Sequence, residues 1–348
     1  MKRRVTIKDV AAEAGVSVQT VSRVMNKGPN VTAAMQAKVT AAVEKLGYTP
    51  SIAAQRLGGS RSFLILALND RGPTIEGWQA RRGNDWVDQM LFGAMLKCAE
   101  YGYRMLFELV DSHSPQLLQQ VQAAVGALHP DGVILTPPHS ENAAICDLLD
   151  RSGVRYARLG SKLPGNGYPV FMDDEAAARV ATEHLLGLGH VRVGFVEGHP
   201  EYAASADRLR GFRTTLLARG VAVIPGYVQP GDFTYQAGVA AMEAYARLAE
   251  PPTGIVAGSD EMALGVLHAA TRMGFRVPRD LSLVSFDDTP TVRMSVPPLT
   301  AIQQPIAAMA ACASQLLIEA KAGRGEESGA HCIPFAFIPR ESTTAPPR

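Results

Sequence analysis

From Phe63 onward the chain repeats one pattern. Short apolar runs (Phe63 to Leu68, Met105 to Phe107, Gly132 to Leu135, Val191 to Val196, Ile255 to Ala257 and Leu281 to Phe286) alternate with longer stretches of helical periodicity. Continuous apolar runs of this length suit strands buried on both faces, and alternation with helices implies a parallel sheet whose crossovers are helical. About 290 residues of such pattern exceed one compact sheet, so two doubly wound subdomains with a ligand cleft between them are expected.

The first 62 residues differ in pattern and in charge. They hold ten Lys and Arg against Asp9, Glu13 and Glu44, while the remainder carries 24 basic residues against 30 acidic. A basic block on an acidic body points to a polyanionic partner at one end. Met1-Lys2-Arg3-Arg4 leads into charged and polar residues with no apolar stretch of the kind a secretory signal needs, so a cytoplasmic location is expected. Residues 294–318 lack charge, but Pro297, Pro298 and Pro305 interrupt them and Gln303, Gln304 and Gln315 are polar, which argues against a membrane helix. Cys98, Cys146, Cys312 and Cys332 are scattered without Cys-x-x-Cys spacing, as reduced thiols are, and neither a disulfide framework nor a zinc site is expected.

Within the basic block, Thr6-Ile7-Lys8-Asp9 carries the capping signal of a helix start, with Val10, Ala11 and Ala14 as its apolar stripe. Gly15 supplies a turn, and Ser17 caps a second helix through about Met25. Thr32 opens a third helix, whose Val39, Ala42, Val43 and Leu46 recur at helical spacing before Gly47 and Pro50 stop it. On the second helix Val21 and Val24 can pack inward while Gln19, Thr20, Ser22, Arg23 and Asn26 offer donors and acceptors to base edges and phosphates. This is the pattern of a helix-turn-helix unit whose second helix enters the major groove, with Val18 and Gln19 as base readers and Arg23 placed to pair with guanine.

The segment from Val5 to Asn26 resembles the start of LacI-type (lac repressor family) regulators. Further stretches carry the resemblance along the chain: Asp173 to Ala178, Ala181 to His190, Arg208-Leu-Arg-Gly-Phe212, Ser259 to Gly265, Ser285 to Thr289 and the ending Pro339 to Thr343. The resemblance implies an N-terminal all-α helix-turn-helix domain over residues 1–50, a hinge helix or linker over 51–61, and an effector-binding and dimerisation domain over 62–345. The last is an α/β domain of two doubly wound parallel-sheet subdomains, periplasmic-binding-protein-like. Its N-subdomain spans about 62–173 and 305–331, and its C-subdomain about 174–304 and 332–345.

Read alone, residues 51–61 are a plain linker, since two turns of helix are too short to be stable by themselves. The resemblance makes them conditional structure that folds on DNA, with Leu57 as an apolar wedge in the minor groove, Ala54 beside it and Arg56 near phosphates. Thr6 and Ser17 complete the DNA-facing set. In the large domain the resemblance puts Asn69, Arg208, Phe233, Ser259, Asp287 and Gln304 at effector-contact positions. Their chemistry suits a polyol: a carboxylate accepts from hydroxyls, a guanidinium donates in a fork, and an aromatic ring covers C–H surface.

Ser259 departs from the family, where Asn is common. Asn69–Asp88 is longer than the usual first strand-to-helix loop, and either lines the cleft through Asn69, Trp78, Asp85 or Trp86 or covers it.

The phosphate-cradling, nucleophile-elbow and metalloprotease motifs are absent, so no enzyme is expected, and no cofactor or metal. His184 and His190 do not share a helix face as metal ligands would, and core or capping roles suit them better. The expected function is a sequence-specific DNA-binding transcriptional regulator, a homodimeric repressor released from a palindromic double-stranded operator by a small-molecule sugar, with no membrane association. A corepressor-activated regulator and a solute-binding protein are the alternatives.

Overall fold

The computed structural model describes residues 5–25, 31–48, 61–80, 84–163, 165–325 and 329–347. The chain divides into two compact units at the junction of Phe63 and Leu64.

The first unit holds three helices, α1 (Ile7–Ala14), α2 (Val18–Met25) and α3 (Ala33–Leu46). At the start of α1 the Asp9 carboxylate accepts from the Thr6 backbone N–H at 2.8 Å and from the Thr6 hydroxyl at 2.7 Å. Gly15 ends α1 at φ +66°, a left-handed conformation that favours glycine and lets the chain turn within a few residues into α2. Val10, Ala11, Ala14, Val21, Val39 and Ala42 form the buried core, with Val24, Val43 and Leu46 packed against it. Lys45 ties α3 to Glu13 of α1 at 2.6 Å. The inward stripe of each helix is the one its apolar spacing predicts.

The second unit contains two six-stranded sheets. The first takes strands β1 (Leu64–Asp70), β2 (Arg104–Val110), β3 (Gly132–Leu135), β4 (Tyr156–Leu159) and β5 (Tyr168–Phe171), and receives β11 (His331–Cys332) late in the chain; its order is β11-β5-β4-β3-β1-β2. Between these strands run α4 (Arg71–Gln79), α5 (Asp85–Glu100), α6 (Leu117–Leu128) and α7 (Ala143–Arg151). The second sheet takes β6 (Val193–Val196), β7 (Val228–Gln229), β8 (Gly254–Ala257), β9 (Ser282–Asp287), β10 (Thr300–Gln303) and β12 (Ala336–Ile338), in the order β12-β10-β9-β8-β6-β7. Its helices are α8 (Asp174–Gly187), α9 (Ala203–Ala218), α10 (Tyr235–Ala246), α11 (Asp260–Arg272) and the short α12 (Pro290–Arg293). Pairing is parallel throughout except between β10 and β12.

β3, β4, β6 and β8 are buried at every position, as strands with helices on both faces must be. The chain passes from the first sheet to the second after β5, returns after β10 through α13 (Ile306–Lys321), and passes once more between β11 and β12. α13 packs against α5 so closely that a Cβ on Gly93 would sit 1.9 Å from the Ala307 carbonyl oxygen. Only glycine allows that approach. The segment Asn69–Asp88 is not an open loop: β1 runs through Asp70, α4 follows at once, and Asn84 caps α5 by accepting from the Val87 N–H at 3.3 Å.

Candidate functional site

On α2 the Ser17 hydroxyl accepts from the Thr20 N–H at 3.1 Å and bonds the Thr20 hydroxyl at 2.9 Å, which fixes the first turn. Val21 is buried, Thr20 and Ser22 are half-buried, and Val18, Gln19 and Arg23 are exposed together with Thr6 and Ser17. The base-reading candidates therefore lie on the solvent side of a helix whose other side is anchored in a core, the arrangement a groove-reading helix requires. Asn26, Ala54, Arg56 and Leu57 lie outside the described residues.

In the second unit the loops that follow the strands of the two sheets meet. His113, after β2, bonds Glu201, after β6, at 3.1 Å, and Lys162, after β4, pairs with Asp207 of α9 at 3.0 Å. The carboxyl ends of both sheets thus face each other, and the space between them is where doubly wound folds bind ligands.

Four of the sequence-assigned residues meet at the end of β9 and its neighbours. Arg208, buried on α9, donates through Nε to Asp174 Oδ1 at 2.8 Å and through Nη1 to the Gly258 carbonyl at 2.6 Å. Its guanidinium carbon lies 4.4 Å from the centre of the Phe286 ring. Asp287, at the end of β9, accepts from Gln304 Nε2 and, through Oδ2, from the Asp260 N–H at 3.1 Å. Ser259 caps α11, its hydroxyl accepting from the Met262 N–H at 3.3 Å. Asp287 and Asp288 have φ of +113° and +65°, unusual values for side-chain-bearing residues, held at the site by Asp260, which also accepts from the Thr289 N–H at 2.6 Å.

Burial sets the electrostatics. It pushes Asp287 up to about 6, against the opposing pull of Arg208 and the hydrogen bonds from Asp260 N–H and Gln304. Asp260 is raised well above the usual carboxylate range, by burial and then by the charge of Asp287. Asp174 is also raised, because burial outweighs the attraction of Arg208.

The remaining two are held by other partners. Phe233, at φ +68°, stands edge-on to Tyr202 with ring centres 5.6 Å apart, and packs against Gly198 and the buried cluster of the second sheet. Asn69, at the end of β1, has its amide engaged: Nδ2 donates to Thr74 Oγ1 at 2.6 Å and Oδ1 accepts from Thr136 Oγ1 at 2.7 Å. Trp78 turns to Phe107 of β2, ring centres 6.3 Å apart.

Asp174, Asp260 and Tyr202 were not singled out from the sequence. The first two follow the acidic helix starts at Asp173 and Ser259, where a capping role is the ordinary reading. Tyr202 sits before α9, and burial followed by the charges of Asp70 and Glu201 pushes its hydroxyl up to about 12, which brings a group of the second sheet into the field of Asp70 at the end of β1.

His184 bonds the Thr343 hydroxyl at 2.8 Å, and buried His190 bonds the Thr253 hydroxyl at 2.9 Å and the Thr344 carbonyl at 2.8 Å. Both histidines hold the C-terminal segment. Among the described residues no group of His, Cys, Asp and Glu is placed to hold a metal ion, and no helix is long and apolar enough to cross a membrane.

Two family models match: bacterial regulatory proteins of the lacI family over residues 6–51, and a periplasmic binding protein-like domain over residues 182–343. The catabolite control protein A of Priestia megaterium is 32% identical over 346 residues, covering 97% of this chain and 99% of that protein. A solved complex of the transcriptional regulator CelR with cellobiose superposes with a TM-score of 0.73 at 29% identity, covering 97% of this chain and all of that one. The lac repressor dimer bound to operator and the anti-inducer ONPF gives a TM-score of 0.78 at 27% identity, covering 99% of this chain and 100% of that one.

Proposed function

The chain belongs to the lacI family of bacterial regulatory proteins, and from that premise we propose that it reads a two-fold symmetric operator as a homodimer and releases it when a sugar enters the cleft of the second unit. It is a DNA-binding transcriptional regulator. The observation that carries the effector reading is the convergence of Arg208, Asp287, Gln304 and Ser259 where β9 and its neighbours end. A carboxylate with lone pairs to spare, beside a guanidinium locked by Asp174, grips adjacent hydroxyls of a ring in the manner of polyol sites. No described residue takes Arg208 Nη2, which is free to donate to the effector. Phe233 and Tyr202 add aromatic surface for C–H groups.

The structure of CelR with cellobiose supports a sugar rather than another ligand class. Dimerisation follows from the two-fold symmetry of operators read by paired helix-turn-helix units, and the lac repressor on its operator is a dimer. Sugar binding favours a cleft geometry in which the two hinge segments, residues 51–61, no longer hold the DNA-reading units in operator register. A regulator of this kind works in the cytoplasm, and no catalytic step is assigned to the chain.

A thermal-shift series on the full chain with cellobiose, other mono- and oligosaccharides, sugar phosphates and purines tests the effector class. A ligand at 100 times its dissociation constant stabilises its domain by about 2.7 kcal/mol. A sugar-induced shift that Asp287→Ala abolishes supports the reading, and shifts only with purines, or none at all, overturn it.

A further inference from the structure

Three neighbouring strands of the second sheet, in the order β9-β8-β6, run parallel. Their carboxyl ends carry Asp287 and lead to the Gly258 carbonyl that holds Arg208, and their amino ends lie along the opposite edge. At that amino edge the second unit holds an open pocket of about 400 Å³. β8 alone is four residues long, about 13 Å of extended chain, so the pocket is separate from the cleft.

Pro251 and Pro252 lead into β8, Met273 and Phe275 follow α11, and Pro347 comes from the last segment; together they give the pocket apolar walls. Its frame is fixed by local hydrogen bonds. The Thr253 N–H donates to the Arg192 carbonyl, the Ser282 N–H to the Thr253 carbonyl and the Phe275 N–H to the Ala270 carbonyl, each at 2.9 Å. Buried His190 bonds the Thr253 hydroxyl at 2.9 Å and the Thr344 carbonyl at 2.8 Å, which ties the last segment to the wall. A preformed concavity of this volume, apolar with a few fixed polar groups, has the form of a small-molecule site.

Two charged residues, Asp280 and Arg192, line it. The Asp280 carboxylate is occupied: Oδ2 accepts from the Arg276 N–H at 2.9 Å and from its Nε at 2.7 Å, and Oδ1 from its Nη2 at 2.9 Å. The Arg192 guanidinium is not. Among the described residues its one ion pair is with Glu250 at 3.5 Å, and that carboxylate is 76% exposed. So exposed a pair contributes little, and the guanidinium keeps a fork of N–H donors for an incoming anion. We propose that this pocket is a second ligand site, for a small aromatic carboxylate. Its carboxylate takes the Arg192 fork, and its ring lies against the proline faces, Phe275 and the Met273 sulfur. This chemistry differs from that of the cleft, where neutral hydroxyls meet Asp287, and neither reading needs the other.

Saturation-transfer NMR and calorimetric titration of the full chain with benzoate, phenylacetate and the neutral benzamide test the site. The carboxylates bind saturably, and benzamide, alike in shape but uncharged, binds at least about tenfold more weakly. Arg192→Ala removes the fork and Met273→Glu sets a negative charge in the apolar wall; each weakens carboxylate binding by at least about tenfold. The Arg192 and Met273 side chains are 38% and 41% exposed, so both variants keep the melting temperature of the unsubstituted chain. Asp287→Ala, at the other end of β9, leaves carboxylate binding unchanged. No saturable binding of either carboxylate overturns the proposal, as does binding that survives Arg192→Ala or is abolished by Asp287→Ala. Benzamide bound as tightly as benzoate overturns the role given to Arg192.

Discussion

Arg208 donates through Nε to Asp174 Oδ1 at 2.8 Å, with both side chains almost wholly out of water, 5% and 7% exposed. The pair joins α9 to the first residue of α8, and the Gly258 carbonyl fixes a second guanidinium nitrogen. Arg208 is thereby a rigid donor and not a swinging side chain, which is the property that makes a polyol site selective.

Removing one partner of a buried ion pair leaves the other charge uncompensated. Asp174→Ala is expected to destabilise the second unit by about 3–5 kcal/mol in urea unfolding, whereas Asp174→Asn, which keeps a neutral acceptor for Nε, loses less stability but weakens sugar binding because it holds the guanidinium less firmly. Equal sugar affinity in Asp174→Asn and the unsubstituted chain would show that Arg208 needs no such support.

Burial sets Asp287 at about 6. A hydroxyl donates to the ionised carboxylate, so sugar affinity should rise as pH climbs through that value and fall about tenfold between pH 7 and pH 5. The apo fold responds in the opposite sense. A carboxyl raised above its unfolded value contributes stability that is complete below about pH 4 and lost as pH rises through about 6. Calorimetric titration across this range should show the affinity trend, and Asp287→Asn should flatten it.

His190 gives one ring N–H to the Thr344 carbonyl, and its other nitrogen meets the Thr253 hydroxyl, a set of partners that satisfies the neutral ring. Burial lowers both His190 and His184. A histidine lowered on folding contributes stability above its unfolded value that is lost as pH falls through the folded one, so the histidine contribution, opposite in sign to that of Asp287 and read as the melting-temperature difference between the unsubstituted chain and His190→Gln, should shrink on acidification below about pH 6.5. Limited proteolysis should find the segment around Thr343 and Thr344 cut first at low pH, and His190→Gln should lessen the pH dependence.

Gln19 and Arg23 are exposed on α2, whose buried residue is Val21. Gln19→Ala should weaken binding to the specific operator by about 1–3 kcal/mol while changing non-specific binding little at the same salt. Competition with random duplex in an anisotropy titration reads the difference.

The three helices of the first unit were legible because each begins with a capping residue and carries one apolar stripe, with Gly15 and Gly47 at their ends. Six strands were legible because they are continuous apolar runs. β4 was not, since Arg158 interrupts it, nor β5, which contains Pro169, nor the two-residue strands β7 and β11, whose pairing is decided by neighbours and not by their own sequence. Gly72, Pro73 and Gly77 are poor helix formers, so the sequence predicts a loop where α4 stands. It forms because Thr74 bonds back to the Asp70 carbonyl at 2.7 Å and takes the Asn69 amide. The candidate effector residues rest on family motifs, not on spacing: Arg208, Asp287 and Gln304 are far apart in sequence, and only the sheet order brings them together.

In vitro selection from a pool of random duplexes with the full chain tests the central claim most directly. The account predicts enrichment of one two-fold symmetric sequence, bound at least about 1,000-fold more tightly than random duplex at the same salt. Recovery of no common sequence, with affinity that depends on salt alone, would contradict it.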